Sequence, residues 1–258
     1  MPHATMHIRL CASAVGLLAL GGSAAASHAQ PAVPRRTVTV FAAASLASAF
    51  QAMATAFENS HPALRVQLNF AGSSMLVQQI QQGAPADVFA AADEVTMQRL
   101  VESGDVAGTP ELFAHNTLQI VVAAGNPKRI ATLADLARPG LTIALCAPTV
   151  PAGRYALQAF AKAGVSVPAA TQELNVTAVT TKVALGEVDA GLVYVTDMRA
   201  FGSRVAGVDI PEGINVVAQY PIAVLKHTPN AAAAAAFVTF VLSPEGQRIL
   251  AADGFLPR

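Results

Sequence analysis

Cysteine and charged residues are both scarce in this sequence. Only two of its 258 residues are cysteines, Cys11 and Cys146, and two are too few for a disulfide framework. Charged side chains make up 12% of the chain, and 16 basic residues balance 16 acidic ones. A nucleic-acid binder usually carries a basic patch, and a disordered chain is usually polar and strongly charged. The composition therefore predicts a packed globular protein without a nucleic-acid partner.

Familiar motifs of nucleotide binding and nucleophilic catalysis are also absent. The sequence contains no G-x-G-x-x-G, no G-x-x-x-x-G-K-[ST], no G-x-S-x-G and no S-x-x-K pattern. The histidines beyond residue 29 are His61, His115 and His227, which lie far apart in the sequence. We therefore expect no enzymatic activity, no resident metal centre and no cofactor.

Two carboxylates are the only candidates for a catalytic pair. Asp87 and Asp93 flank a short apolar run, but each is explained more simply by a connection between a strand and a helix. Asp93 is suited to cap a helix that begins at Glu94. Cys146 ends another apolar run and is predicted to be a small buried residue. A hydrolase that acts on a small anion stays open as an alternative.

The N-terminal residues have the features of a secretory signal peptide. A run of apolar and small residues over 10–20 follows an arginine and precedes two sites of the A-x-A type. We expect cleavage after Ala29, a flexible mature N-terminus over 30–36 and export to the periplasm. The alternative is a buried N-terminal helix. The apolar run is shorter than the roughly 20 residues that a membrane span needs.

From residue 37 onward, apolar runs alternate with segments of helical periodicity. Strands are predicted over 37–43, 64–70, 87–91, 118–124, 141–147 and 190–195, with an extended segment over 215–225. Helices are predicted over 46–59, 75–82, 94–103, 131–137, 153–163, 176–185 and 230–252, the last with a break at 243–244. This alternation predicts an α/β fold with mixed, mostly parallel sheets flanked by helices.

Two apolar segments, 118–124 and 216–225, have long connections around them. They are suited to carry the chain from one lobe to another and back. We therefore predict one lobe of residues 37–118 plus 221–258 and a second lobe of residues 119–220. A single continuous sheet is the alternative.

Small and hydroxyl-bearing residues recur where strands lead into helices. Such turns follow the first two strands at Ser45 and Ser73, and others lie at 150–153 and 175–176. Ligands of open α/β sheets bind at these ends of the strands, where helix N–H groups attract anions. Tyr194 ends another strand and adds a phenolic hydroxyl. The pattern fits a small, fully ionised oxyanion, although each serine taken singly is also explained as a helix cap.

Several segments make the pattern more specific. The strings TVTVFAAASL, FAGSSML, GAPADVFAAAD, VPAGRYA, LNV, GLVYVTD and SPEGQRILAADGF occur in this order between residues 37 and 258. Together they resemble the periplasmic molybdate-binding proteins of ABC transporters, which are two-lobed, type II solute-binding proteins. The resemblance implies capture of molybdate, and of tungstate as well, in a cleft between the lobes, and delivery to a membrane permease.

The resemblance also implies a ligand set. Molybdenum would be held only as bound molybdate, and the protein is expected to be a monomer. The residues that match the family's contacts are Ser45, Ser73, Ala152, Val176 and Tyr194. Gly72 departs from the family's pattern, and we expect it to give its turn more backbone freedom than a serine would. Sulfate or another tetrahedral oxyanion is the alternative ligand, since it too needs only donors.

Overall fold

The computed structural model describes residues 35–258. The predicted signal peptide, residues 1–29, lies outside the described residues, as does most of the predicted N-terminal segment 30–36. The first strand begins at Arg36, one residue before its predicted start.

Strands and helices alternate through the described part of the chain. The strands are β1 Arg36–Ala43, β2 Leu64–Ala71, β3 Val88–Ala90, β4 Val106–Ala123, β5 Ile143–Cys146, β6 Thr171–Glu173, β7 Ala190–Tyr194, β8 Val205–Asp209 and β9 Val217–Leu225. The α-helices are α1 Ala47–Ser60, α2 Ser73–Gln81, α3 Glu94–Glu102, α4 Pro151–Ala163, α5 Val176–Ala184, α6 Val195–Phe201, α7 Ala231–Leu242 and α8 Pro244–Asp253. Short 3-10 helices cover Ala44–Leu46, Leu133–Ala137 and Gly202–Arg204.

The predicted helices and strands are present, with local differences at their ends. The break predicted at 243–244 separates α7 from α8, because Ser243 is the N-cap of α8 and Pro244 its first residue. The helix predicted over 131–137 is a 3-10 turn, capped by Thr132. Three elements, β6, α6 and β8, were not predicted, because they have at most seven residues and show too little periodicity.

Hydrogen-bonded strands follow the order β2-β1-β3-β9-β4-β7-β5-β6, and β8 also pairs with β4. The pairs β1/β2, β1/β3, β5/β6 and β5/β7 are parallel, whereas β9 and β4 run antiparallel to each other and to their other neighbours. We call β1, β2, β3 and β9 the first strand group and β5 to β8 the second strand group. The predicted mixed α/β architecture is present.

Strand β4 joins the two groups and is much longer than predicted. It has 18 residues rather than the seven predicted over 118–124. Residues 106–117 pair with β9, with irregular register between Ala107 and Glu111, while residues 118–123 pair with β7 and β8. Gly108 and Pro110 lie at this irregularity and disguise the first half of the strand in the sequence. The division into lobes at 118 and 221 stays a prediction.

None of the helices within residues 35–258 combines the length and hydropathy that crossing a membrane requires.

The fold is stabilised by a packed interior, in which aromatic rings from α1, β4 and α7 meet. Phe237 on α7 is fully buried, and its ring centroid lies 6.0 Å from that of Phe50 and 5.3 Å from that of Phe57. Both contacts have the edge-to-face geometry that aromatic pairs favour.

We expect Phe237→Ala to lower the free energy of unfolding by about 3–5 kcal/mol, because it removes a buried ring and leaves a cavity. Denaturant titration followed by circular dichroism measures the change. Leu157→Ala is the control, because Leu157 is 52% exposed on α4. Its effect should stay within about 0.5 kcal/mol. Equal losses in the two variants would contradict the assigned core.

Candidate functional site

A small cavity lies between the two strand groups, where three α-helices begin. The first group and its helices contribute Ala43, Ala44, Ser45, Gly72, Ser73 and Ala92 to its lining. The second group and its helices contribute Val150, Pro151, Ala152, Asn175, Val176 and Tyr194. All five residues predicted to contact the ligand therefore line one cavity. The cavity is small, with a volume of about 10 Å³. It therefore suits one compact ion and not an organic ligand of drug size.

Helix N-termini supply much of the lining. Ser73 is the first residue of α2, Ala152 is the second residue of α4, and Val176 is the first residue of α5. Backbone N–H groups in the first turn of a helix have no acceptor within the helix, and the helix dipole is positive there. Among the described residues, none with a charged side chain lines the cavity. The cavity is thus built to attract an anion by donors and dipoles.

The two serines make contacts that differ from helix capping. Ser45 lies in the 3-10 turn after β1, and its Oγ is 2.9 Å from the hydroxyl of Tyr220 on β9. The Oγ of Ser73 accepts the N–H of Ala92 at 3.1 Å. Neither side chain caps a helix. The alternative that these serines are ordinary caps is therefore wrong.

Tyr194 ends β7 with its side chain 1% exposed. Its hydroxyl has no hydrogen-bond partner among the described residues. Burial raises the pKa of this phenol well above its ordinary value, with smaller contributions from Tyr220 and Tyr155. The group therefore stays protonated, and it is a hydrogen-bond donor at the wall of the cavity.

Residues close in sequence to the cavity lining make polar contacts between its two sides. Arg154 on α4 pairs with Asp93, with its Nε 3.0 Å from Oδ2, and also donates to Thr96 and to the carbonyl of Thr149. Ser74 on α2 donates to the same Thr149 carbonyl at 2.5 Å. The bonds from Arg154 to Asp93 and Thr96, and from Ser74 to Thr149, join elements of the first strand group to elements of the second. The guanidinium therefore has its charge partner in Asp93 and not in the cavity.

Gly72 is needed for this close approach. A Cβ at this position would lie 2.0 Å from the carbonyl oxygen of Leu174, which belongs to the opposite side of the cavity. Its backbone angles, φ −61° and ψ 136°, are open to any residue. The expectation that Gly72 serves by backbone freedom is wrong, because space is what requires the glycine.

Asp87, Asp93 and Cys146 have structural contacts. Asp93 accepts the N–H of Thr96 at 2.9 Å and so caps α3, as predicted. Asp87 accepts the N–H of Thr39 at 2.7 Å and is also bonded to Thr228. Cys146 is buried at the end of β5, as predicted, and burial raises the pKa of its thiol. Within residues 35–258 no group of three or more possible metal ligands comes together.

A model of the bacterial extracellular solute-binding protein family matches residues 38–256. The chain belongs to this family. It is 46% identical over 241 residues to the molybdate-binding protein ModA of Mycobacterium tuberculosis, in an alignment that covers 93% of this chain and 92% of that protein.

Two solved structures show the same fold. The periplasmic molybdate-binding protein of Azotobacter vinelandii has a TM-score of 0.75 at 22% identity, covering 86% of this chain and 100% of its own. The sulfate-binding protein SubI of Mycobacterium tuberculosis has a TM-score of 0.77 at 23% identity, covering 86% of this chain and 87% of its own. The predicted fold class, that of a periplasmic binding protein, is confirmed. The two proteins are named for different anions, so at these sequence identities the shared fold does not determine which anion is bound.

Sequence reasoning missed several polar residues of this solute-binding protein that support the cavity walls. Tyr220 and Asn116 lie behind Ser45, and Asp197 lies behind Tyr194. Tyr220 and Asn116 come from β9 and β4, far from the turns in the sequence. Asp197 is the third residue of α6 and follows Tyr194 by three positions. Only the pairing of β4 with β9 brings Asn116 and Tyr220 together, so no local pattern marks them. Asp197 was missed because α6 itself is too short to show helical periodicity.

Asp197 is a buried carboxyl group, and its Oδ2 accepts the N–H of Tyr194 at 3.0 Å. Burial raises the pKa of Asp197 from 3.8 to about 7, the bond from Tyr194 opposes this, and Asp253 adds to it. Between these two values the native protein keeps a proton that the unfolded chain releases. The free energy of unfolding therefore falls as the pH rises through this range.

We expect Asp197→Asn to remove this dependence. Asparagine keeps an oxygen for the N–H of Tyr194 but does not ionise. Between about pH 5 and pH 8, the wild-type protein should lose about 2–3 kcal/mol more stability than the variant. Urea titrations at the two pH values measure the difference. The same pH dependence in both proteins would show that Asp197 is ionised throughout.

Proposed function

We propose that this solute-binding protein captures molybdate, and tungstate as well, after export to the periplasm. It would act as a monomer and deliver the anion to the permease of an ABC transporter. The observation that carries the proposal is the cavity itself, which combines helix N-termini and three hydroxyl groups with no charged lining residue in the described chain. Ser45, Ser73, Ala152, Val176 and Tyr194 would hold the oxyanion.

The named relative supports molybdate over other oxyanions. The protein from Mycobacterium tuberculosis is described as molybdate-binding, and the alignment with it spans nearly the whole of both chains. Sulfate is the second candidate, because SubI shares the fold and sulfate is also a tetrahedral dianion. A choice between the two rests on cavity size and donor positions, which a titration tests directly.

We expect molybdate and tungstate to bind and to raise the melting temperature, while phosphate at the same concentration does not. A ligand that binds only the native state adds about 2.7 kcal/mol of stability at 100 times its dissociation constant. Monohydrogen phosphate carries a proton, and none of the described residues that line the cavity offers a carboxylate to accept it. Calorimetric titration of the mature protein with molybdate, tungstate, sulfate and phosphate is the measurement.

Two results of this titration would contradict the proposal. Sulfate bound more tightly than molybdate would make the protein a sulfate binder. Equal binding of all four anions would mean that the cavity does not select by donor geometry.

We expect Ser45→Ala and Ser73→Ala each to weaken molybdate binding about ten- to a hundred-fold, since a hydrogen bond to a charged group contributes roughly 1.5–3 kcal/mol. Ser73→Ala also leaves the N–H of Ala92 unpaired, which costs about 1–3 kcal/mol of stability. Calorimetry gives the affinities, and denaturant titration gives the stabilities. Ser60→Ala is the matched control, because its hydroxyl bonds to the α1 backbone at the surface. Unchanged affinity in both site variants would remove the serines from the ligand set.

We also infer that the two predicted lobes, residues 37–118 with 221–258 and residues 119–220, close around the anion. Ser45 and Ser73 belong to the first lobe, and the other three ligand residues belong to the second. Motion would be concentrated near 118–124 and 216–221, where the chain passes between the lobes. Such hinge closure needs only a few residues to change their backbone angles.

Gly72→Ala should oppose closure, because its Cβ would meet the Leu174 carbonyl only when the two sides are in contact. Small-angle scattering should show a smaller radius of gyration with molybdate in the wild type than in this variant. Ser74→Ala is the control, because it removes a bond between the two sides without adding atoms. Identical compaction of Gly72→Ala and the wild type would exclude a steric role for residue 72.

A further inference from the structure

We propose that Tyr220 is a positioning residue that fixes the direction of the Ser45 hydroxyl and so makes the site select oxyanions that carry no proton. The inference rests on the proposed oxyanion site, although not on which oxyanion is the natural ligand. Tyr220 is fully buried on β9 and does not line the cavity. It would act through Ser45, which does.

The orientation begins with Asn116 on β4, which is 1% exposed. Its Oδ1 accepts the N–H of Thr117 at 3.0 Å, and this bond determines which end of the amide is the nitrogen. The Nδ2 group donates to the Thr196 hydroxyl at 2.9 Å and faces the Tyr220 hydroxyl at 3.5 Å. An amide nitrogen has hydrogens and no acceptor, so Tyr220 cannot donate to Asn116.

Among the described residues, the phenolic hydrogen of Tyr220 therefore has one acceptor within reach, the Oγ of Ser45 at 2.9 Å. This assigns Tyr220 as the donor and Ser45 as the acceptor. A serine hydroxyl has a single hydrogen, and in this arrangement that hydrogen is free to point into the cavity. Ser45 thus becomes a donor toward whatever the cavity holds.

Ser73 and Asn175, two other polar residues of the cavity, also have their side-chain oxygens occupied and their hydrogens free. Ser73 accepts the N–H of Ala92, which can only donate, so its own hydrogen is also available. The Oδ1 of Asn175 is occupied by the N–H of Ala178 at 2.9 Å. An oxyanion without a proton can accept from all these groups. A protonated oxyanion brings a hydrogen that competes with theirs, and a buried polar hydrogen without an acceptor is costly.

Sulfate and monohydrogen phosphate isolate this effect, because they are tetrahedral dianions of similar size that differ by one proton. In mildly alkaline buffer, calorimetry or competition against molybdate gives the ratio of their affinities. Tyr220→Phe removes the donor to Ser45 and frees the serine oxygen to accept. We expect the preference for sulfate over phosphate to fall at least about ten-fold in this variant. If Tyr220 had a purely structural role, its loss would weaken the binding of both anions equally and leave the ratio of their affinities unchanged.

Tyr155→Phe is the matched control, because it removes a phenol on α4 that does not bond to Ser45; its ratio should equal that of the wild type. Asn116→Leu is a second variant, which lets the Tyr220 hydroxyl turn away from Ser45 and should lower the ratio in the same direction. Circular dichroism checks that each variant is folded.

A ratio unchanged in the folded Tyr220→Phe protein would overturn the proposal. If that variant does not fold, an unchanged ratio in Asn116→Leu would overturn it equally. A wild-type protein that binds none of these anions would instead refute the proposed function. A wild type that prefers sulfate to molybdate would refute the molybdate assignment and leave the role of Tyr220 open to the same ratio test.

Discussion

An anion held away from water without a cationic side chain must be solvated by the protein's own N–H and O–H groups. Each donor lost from such a site is expensive, because the hydrogen bonds are charge-assisted and water does not replace them. The arrangement of this molecule follows from that requirement. Three helices begin at the cavity, and Ser45, Ser73 and Tyr194 in its lining carry hydroxyl groups.

The sheet supplies the rigidity that oriented donors need. β1 and β2 end at the turns that carry Ser45 and Ser73, and β7 ends at Tyr194. Strand β4 pairs with both β9 and β7, so it connects the wall that holds Tyr220 to the wall that holds Tyr194. Their rings meet edge to face at 5.8 Å. A change in the pairing of β4 would therefore move donors on both sides of the cavity.

Local patterns predicted the strand-to-helix turns well, because each turn consists of consecutive residues whose types reflect their own backbone. Ser45, Ser73, Tyr194 and the turns at 150–153 and 175–176 were predicted in this way, and the family resemblance singled out Ala152 and Val176 within those turns. The residues that support the cavity walls could not all be predicted from local patterns. Asn116 and Tyr220 are 104 positions apart, and their contact exists only through the long antiparallel pairing of β4 with β9. The first half of β4 was itself missed, since a glycine and a proline interrupt its pattern.

The guanidinium of Arg154 lies near the cavity, but its positive charge is paired with Asp93 and does not act on the ligand. An arginine in the first turn of α4 begins close to the cavity, where its guanidinium would attract any anion, protonated or not. Its bonds to Asp93 and Thr96 use it to join the two sides instead. The attraction that remains inside the cavity comes from oriented dipoles. The attraction of a dipole for an ion falls steeply with distance and depends on direction. Selectivity by geometry therefore depends on neutralising the nearest positive charge as much as on placing the donors.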